Sequence, residues 1–279
     1  MAPGKELTRL ALFGNPVKSS LSPTIHRAFA QQFDLQVSYQ PIESDVEGFP
    51  AALEKFRLEG GVGCNITLPL KQEAWRLAAQ ASKEVEQAQA ANTLVLQPSS
   101  GWFAHTTDGI GFISDLTGNH EAAIAGRRVL VMGAGGAVAG ILGRLLAAAP
   151  QAVVIVNRNV QRAQDLAERF KPLGEISVTS WTELQSWGCF DLVINATSLG
   201  HRGEAPPLTA SLFAAGALCY DMNYFKASRP LMALVESIGQ RYVDGLGMLV
   251  EQAAESFHIW TGKRPDSKKV IGLCREMVA

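Results

Sequence analysis

Two neighbouring stretches carry residue types suited to a phosphorylated cofactor. VLVMGAGGAVAG (Val129–Gly140) is an apolar run followed by glycines and then by more apolar residues. Glycines at such a turn let a dinucleotide pyrophosphate approach the backbone, while the amides of the following helix start supply partial positive charge. Gly133 and Gly135 fit the first two positions of G-x-G-x-x-G, with Ala134, Gly136 and Ala137 completing the turn, but the third position is Val138. A glycine turn alone also suits simple strand–helix packing, so the next strand matters. AVVIVNRNVQR places Asn157 where a NAD-binding protein would typically hold the ribose 2′-hydroxyl with an acid, and Arg158 and Arg162 follow. An acid would repel a 2′-phosphate, whereas two guanidinium groups bind one through charge-assisted hydrogen bonds. As ordinary helix-start residues the arginines would oppose the helix dipole. The pattern favours NADP over NAD.

A second group of residues lies earlier in the chain. GNPVKSSLSP (Gly14–Pro23) has turn formers in Gly14, Asn15 and Pro16, and Ser22 before Pro23 reads as an N-cap ahead of a proline at the first helical position. Ser19 and Ser20 are left without a structural task. Hydroxyl donors at a helix N-terminus can bind an anion without any arginine. NITLPLK (Asn65–Lys71), ANT (Ala91–Thr93) and TTDGIG (Thr106–Gly111) add a lysine, an amide, hydroxyls and Asp108. Taken singly, Lys71 reads as a solvated helix-start residue and Asp108 as a cap before Gly109.

Alternating strand-like and helix-like segments must position these residues. RLALFG, VSYQPI and GCNITLPL read as extended, with helices over Ser22–Phe33, over VEGFPAALEKFRLEG (Val46–Gly60) with Gly60 closing it, and from Lys71. NTLVLQ and GWFAHTT flank a PSSG turn as a hairpin. A second series follows from Arg127, with strands at RRVLVMG, AVVIVN, near Ile176, at FDLVINAT and at ALCYDM, and helices through Leu146 and over VQRAQDLAERF. Such alternation argues for an α/β protein with parallel sheets. The expected organisation is a substrate-binding and catalytic domain over 1–108, completed by C-terminal helices within 243–279, and a Rossmann-type NADP-binding domain with a parallel sheet over 109–242.

Composition narrows the function classes. The chain has 279 residues, 47% of them hydrophobic, with a formal net charge of −1, which gives no reason to expect nucleic acid or an anionic membrane as partner. The longest uncharged apolar run is too short and glycine-rich for a membrane span. Cys64, Cys189, Cys219 and Cys274 form no CxxC pair, and the five histidines show no ligand spacing, so no structural metal is expected and the thiols fit a reducing cytosol. The N-terminal residues lack a signal-peptide core. These features point to a cytoplasmic protein; the expected partner is a small molecule, and the expected state is monomer or homodimer.

The ordered blocks GNPVKSSLSP, NITLPLK, ANT, TTDGIG, GAGGA, NRNVQR, NATSLG, YDMNY and DGLGMLVEQAAESFHIWTG resemble the shikimate dehydrogenase family over nearly the whole chain. The resemblance implies reversible, NADP-dependent reduction of 3-dehydroshikimate to shikimate in the pathway to chorismate and the aromatic amino acids. It also implies Lys71 and Asp108 as the catalytic pair. Chemistry asks for such a pair independently, since an alcohol that gives up hydride must also lose its hydroxyl proton to a base. A lysine and an aspartate in contact titrate as a coupled unit; the expectation is that Lys71 moves the proton and Asp108 orients it. By the same resemblance Ser20 and Ser22 bind the substrate carboxylate with Tyr224 nearby, and Thr67, Asn92, Asp108 and Gln252 meet the ring hydroxyls. Thr197, Met222 and Gly245 join the cofactor residues. Departures from the family pattern include Ser19, Arg27, Thr106 and Val138, the last of which is expected to push the cofactor slightly away.

Other readings compete. A quinate/shikimate or shikimate-like dehydrogenase would accept a broader substrate or NAD, decided near Ser20, Ser22 and Tyr224. A non-catalytic metabolite sensor would have no need of both Lys71 and Asp108. Other two-domain NADP enzymes, such as folate dehydrogenases, would lack a reason for the S-x-S-P loop.

Overall fold

A computed structural model of the chain describes residues 7–277. Two compact units emerge, one running to Gly111 and resuming at Val250, the other spanning Phe112–Leu249. Unit one begins with β1 (Thr8–Gly14), α1 (Ser22–Gln32), β2 (Val37–Glu43), α2 (Phe49–Leu58), β3 (Gly61–Ile66) and α3 (Lys71–Leu77). It continues with a two-residue β4 (Gln80–Ala81), α4 (Lys83–Ala88), β5 (Thr93–Gln97) and β6 (Gly101–His105), and α5 (Asp108–Ile113) carries the chain across the division. The sheet order is β2-β1-β3-β5-β6-β4.

This sheet is mixed rather than purely parallel. β1 pairs parallel with β2 and β3, but β5 runs antiparallel to both β3 and β6. The tight connection between β5 and β6 leaves no room for a crossover helix, and an antiparallel pair is what a short hairpin permits. The apolar run Leu10–Phe13 is buried on both faces, and Phe13 meets the edges of Phe49 and Phe56 at centroid distances of 5.4 and 5.7 Å. Each such buried aromatic or aliphatic side chain contributes roughly 1.5–3 kcal/mol. Gly60, at φ +86°, closes α2 in the left-handed conformation that glycine adopts without steric cost.

Unit two is built from β7 (Arg128–Met132), α6 (Gly136–Ala147), β8 (Ala152–Val156), α7 (Val160–Phe170), β9 (Ile176–Thr179), β10 (Phe190–Asn195), β11 (Phe213–Asp221), α8 (Arg229–Ser237) and β12 (Arg241–Val243). Its sheet is parallel throughout, in the order β12-β11-β10-β7-β8-β9. Strand order reverses between β7 and β10, the switch point at which doubly wound sheets take their ligands. α9 (Leu246–Thr261) runs from unit two into unit one, where α10 (Ser267–Glu276) ends the described chain. No helix among the described residues is long and apolar enough to cross a membrane.

Several elements escape the sequence pattern. β4, α4, α8 and β12 are short or lie in stretches of mixed polarity. Ser22 is not the N-cap of α1: that position is Leu21, with no side-chain cap, and Ser22 occupies the first turn beside Pro23. Its hydroxyl is thus not spent on capping.

Candidate active site

β3 ends at Ile66, and the turn through Pro69 delivers Lys71 to the first position of α3. β6 ends at His105, so that Asp108 opens α5. These two strand ends bring Lys71 Nζ to 2.5 Å from Asp108 Oδ2, with 17% and 9% of the side chains exposed. Neither residue is the solvated lysine or simple cap that it would be alone.

The other oxygen of the carboxylate is held as well. Asn92, immediately before β5, donates from Nδ2 to Asp108 Oδ1 at 2.9 Å, and the same nitrogen lies 2.8 Å from Thr107 Oγ1 and 3.1 Å from Gln252 Oε1. Two hydrogens serve three acceptors, so one is shared. The orientation of the amide is fixed by its oxygen, which accepts from the Thr107 backbone N–H at 2.8 Å and from Thr93 Oγ1 at 3.0 Å. Gln252 comes from α9, placing the late helix beside the residues of β5 and α5. Lys71, Asp108, Asn92 and Gln252 therefore form one continuous cluster.

Beneath it lies a layer of polar side chains that sequence reading did not single out. Ser256, one helical turn after Gln252, receives a hydrogen bond from Asn65 Nδ2 at 2.9 Å and lies 2.8 Å from Thr93 Oγ1 and 3.2 Å from Thr107 Oγ1. Asn65 Oδ1 accepts from Tyr39 OH at 2.9 Å and lies 3.1 Å from His26 Nε2. Since Asn65 Nδ2 is the donor to Ser256, Thr93 and the Asn92 carbonyl, His26 must supply the Nε2 proton, and the neutral ring carries its hydrogen there. Burial, only partly opposed by the Asn65 contact, holds its pKa down at about 3. The His26 ring stacks on Tyr39 at 4.3 Å. The available signals were the i, i+4 spacing of Gln252 and Ser256, and the position of Asn65 at the head of NITLPLK.

Ser20 and Ser22 sit at the other end of this layer. Ser20 Oγ donates to Ser22 Oγ at 3.1 Å and accepts from the Ser22 backbone N–H at 3.2 Å. Ser22 also hydrogen-bonds the phenol of Tyr39, whose pKa burial drives well up, with Cys64 adding to the rise and Ser22 opposing it. Thr67, after β3, makes no side-chain hydrogen bond among the described residues, leaving its hydroxyl available to a ligand. Tyr224 belongs to unit two, after β11.

The cofactor-type residues of unit two gather at the carboxyl ends of its strands. Gly133 takes φ +115°, and an added Cβ there would approach the Ala196 carbonyl at 3.1 Å. Gly135 caps α6 without a side-chain hydrogen bond, and nothing lies within 4 Å of the Cβ positions of Gly135 and Gly136. An open cradle of backbone amides at a helix start fits a pyrophosphate, and Ala134 and Ala137 flank it with small side chains. Val138 is fully buried on the inner face of α6, so it packs the helix and does not present itself to a ligand. Asn157, Arg158 and Arg162 stand at the end of β8 and the start of α7, with both arginines exposed. Thr197, Met222 and Gly245 follow β10, β11 and β12 respectively.

The family models agree with this architecture in three consecutive parts. Residues 12–94 match the shikimate dehydrogenase substrate binding domain, 116–202 match shikimate / quinate 5-dehydrogenase, and 245–273 match the shikimate 5′-dehydrogenase C-terminal domain. A curated protein of Alkalilimnicola ehrlichii named shikimate dehydrogenase (NADP(+)) is 48% identical over 268 residues, covering 96% of this chain and 98% of its own. The chain belongs to the shikimate dehydrogenase family. Among solved structures, an Ael1 enzyme from Pseudomonas putida superposes with a TM-score of 0.89 at 39% identity, covering 95% of this chain and 97% of that one. A Thermus thermophilus shikimate 5-dehydrogenase in complex with NADP(H) and shikimate gives 0.83 at 31% identity, covering 96% and 99%. This shikimate dehydrogenase family member thus shares its fold with those enzymes along almost its whole length.

Proposed function

We propose that the protein is an NADP-dependent shikimate dehydrogenase that interconverts 3-dehydroshikimate and shikimate. The observation that carries the mechanistic part is the buried contact of Lys71 with Asp108, backed by Asn92. NADPH, when bound, supplies the hydride. Lys71 holds a proton at Nζ, ready for the carbonyl oxygen as negative charge develops there, and takes it back from the hydroxyl in the reverse direction. Asp108 Oδ2 keeps the ammonium in place, while Asn92 prevents the carboxylate from rotating away.

Binding is divided among neutral donors and acceptors. Ser20 and Ser22 meet the substrate carboxylate with hydroxyls, joined by Tyr224, and Thr67, Asn92 and Gln252 meet the ring hydroxyls. A polyhydroxylated ring needs groups that both donate and accept, which hydroxyl and amide side chains provide. Gly133, Ala134, Gly135, Gly136 and Ala137 would cradle the cofactor pyrophosphate, Asn157, Arg158 and Arg162 its 2′-phosphate, and Thr197, Met222 and Gly245 its nicotinamide half.

Initial rates of nicotinamide reduction with shikimate or quinate, each paired with NADP or NAD, test the reading. Turnover concentrated on shikimate with NADP, lost in Lys71→Ala and sharply reduced in folded Asp108→Asn, is the expected result. Comparable turnover of quinate or use of NAD would make the protein a broader quinate/shikimate enzyme. Binding of shikimate without turnover would leave a metabolite sensor.

A further inference from the structure

Three parallel strands of unit two, β10, β11 and β12, end side by side, with Asn195 opposite Asp221 and Tyr220 opposite Val243 in register. The glycine turn and the two arginines belong to the other half of this sheet, at β7 and β8. In a doubly wound sheet the two halves of a dinucleotide straddle the switch point. The ends of β10, β11 and β12 therefore face the half that carries the nicotinamide.

One carboxylate joins all three strand ends. Asp221, fully buried, accepts at Oδ1 from Asn195 Nδ2 (2.9 Å), the Asn223 backbone N–H (3.0 Å) and Asn223 Nδ2 (2.9 Å), and at Oδ2 from Tyr242 OH (3.1 Å). Each donor then holds a further segment. Asn195 Oδ1 accepts from Thr197 N at 3.1 Å and Thr197 Oγ1 at 2.8 Å, and Asn223 Nδ2 also reaches the Thr197 carbonyl at 3.1 Å. Backbone bonds tie Met222 N to the Asn195 carbonyl at 2.8 Å and Gly245 N to the Asn223 carbonyl at 2.9 Å. Gly245 is packed so closely that an added Cβ would stand 2.5 Å from the Met222 carbonyl oxygen.

We propose that Asp221 is a positioning residue for the nicotinamide half of the cofactor, setting Thr197, Met222 and Gly245 in mutual register without touching the ligand. It acts as an acceptor of hydrogen bonds. No lysine, arginine or histidine among the described residues pairs with it. An asparagine could take over most of the task, its oxygen in place of Oδ1 and its NH₂ donating to the Tyr242 hydroxyl, which would turn its own proton to the Ser228 carbonyl 3.3 Å away. Alanine could not, and it would take their acceptor from the buried Asn195 amide and from the Asn223 backbone N–H.

This assignment rests on the proposed NADP binding, and the experiment separates the two. The affinity of the full-length protein for NADPH and for 2′,5′-ADP, the adenosine half of the cofactor alone, is measured by titration calorimetry for wild type, Asp221→Ala, Asp221→Asn and Asn223→Ala. The expected result is a loss of tenfold or more in NADPH affinity for Asp221→Ala, little change for 2′,5′-ADP, and recovery to within about threefold of wild type in Asp221→Asn. General loosening of the fold would weaken both ligands together, and that outcome overturns the assignment. So does a folded Asp221→Ala that binds NADPH like wild type, or an Asp221→Asn as weak as the alanine variant. Should Asp221→Ala fail to fold, Asn223→Ala, which removes the side-chain donor to Asp221 and its link to the Thr197 carbonyl, must show the same selective loss. Wild type that binds neither ligand would refute the cofactor reading itself and this assignment with it.

Discussion

Asp108 and Asp221 are both buried aspartates near strand ends, and they are handled in opposite ways. Asp108 faces a cation on one oxygen and an amide on the other, within a lattice of hydroxyls and amides supplied by β3, β5, α5 and α9. Asp221 has four neutral hydrogen bonds and, among the described residues, no cation beside it. A carboxylate that must respond to a moving proton needs a partner whose charge can change. One that only holds loops together needs acceptor lone pairs. The difference separates chemistry from positioning more clearly than burial does.

The largest expected effect falls on the charged pair. Lys71→Ala removes the group proposed to move the proton, and kcat should drop about 10²- to 10⁴-fold, the usual range for a general acid–base group. The KM for shikimate should change far less, because Asn92, Gln252 and the serines remain. A loss confined to KM, measured at saturating NADP, would show that Lys71 serves binding only.

Steric intrusion into the lattice comes next. Gly111 faces Gln252 so closely that an added Cβ would lie 2.6 Å from its backbone nitrogen and from its Cβ. Both belong to unit one, and backbone cannot yield as a flexible side-chain tip could. Gly111→Ala should cost about 1–3 kcal/mol of stability and, by displacing Gln252 from Asn92, raise the KM for shikimate by about tenfold. A stability loss with unchanged KM would remove Gln252 from the substrate site.

A pH-dependent test reads the other aspartate. Burial, only partly offset by the four hydrogen bonds, raises the pKa of Asp221 to about 6 from 3.8. The native state thus binds this proton more tightly than the unfolded chain does. The resulting stabilisation is complete below about pH 4 and is lost as the pH rises through about 6, so at pH 7.5 the buried charge costs on the order of 2–3 kcal/mol. Asp221→Asn has no such charge. Its urea midpoint should exceed that of wild type at pH 7.5, and the gap should close on acidification toward pH 4. A gap independent of pH would mean that the native carboxyl titrates normally.

How these networks relate to the sequence follows from residue type. Lys71, Asp108 and Asn92 sit in turns that carry several unusual residues at once, so NITLPLK, ANT and TTDGIG stood out. Asn65, Thr93 and Thr107 lie in the same blocks and Ser256 in the late helix, but one at a time such short polar residues are indistinguishable from caps or satisfied core residues. Their role exists only where β3, β5, α5 and α9 converge, a tertiary fact with no local periodicity. Asp221 lies in the quoted block YDMNY, yet nothing in that block announces that Asn195 and Tyr242 close around it from residues 26 and 21 positions away. The three residues of β12 are too few to show a strand period, and Ser22 resembled a cap because Ser-Pro commonly begins helices, although Leu21 holds that position.

The smallest expected effect sharpens the comparison from the side of the lattice. Ser256 Oγ has one hydrogen and two lone pairs but four neighbours: Asn65 Nδ2, Thr93 Oγ1, Thr107 Oγ1 and the Gln252 carbonyl. Every neighbour retains another partner when the hydroxyl is removed. Asn65 Nδ2 keeps the Asn92 carbonyl and Thr93, Thr93 keeps Asn92 Oδ1, and Thr107 keeps Asn92 Nδ2. Ser256→Ala should therefore cost only about 1 kcal/mol of stability and lower kcat two- to threefold, measured beside Asp221→Ala in the same assay. The contrast lies in redundancy: the unit-one lattice shares each donor among several acceptors, whereas three strand ends in unit two depend on a single carboxylate. If Ser256→Ala proved as damaging as Asp221→Ala, the lattice would have its own hub, and Ser256 would be that hub.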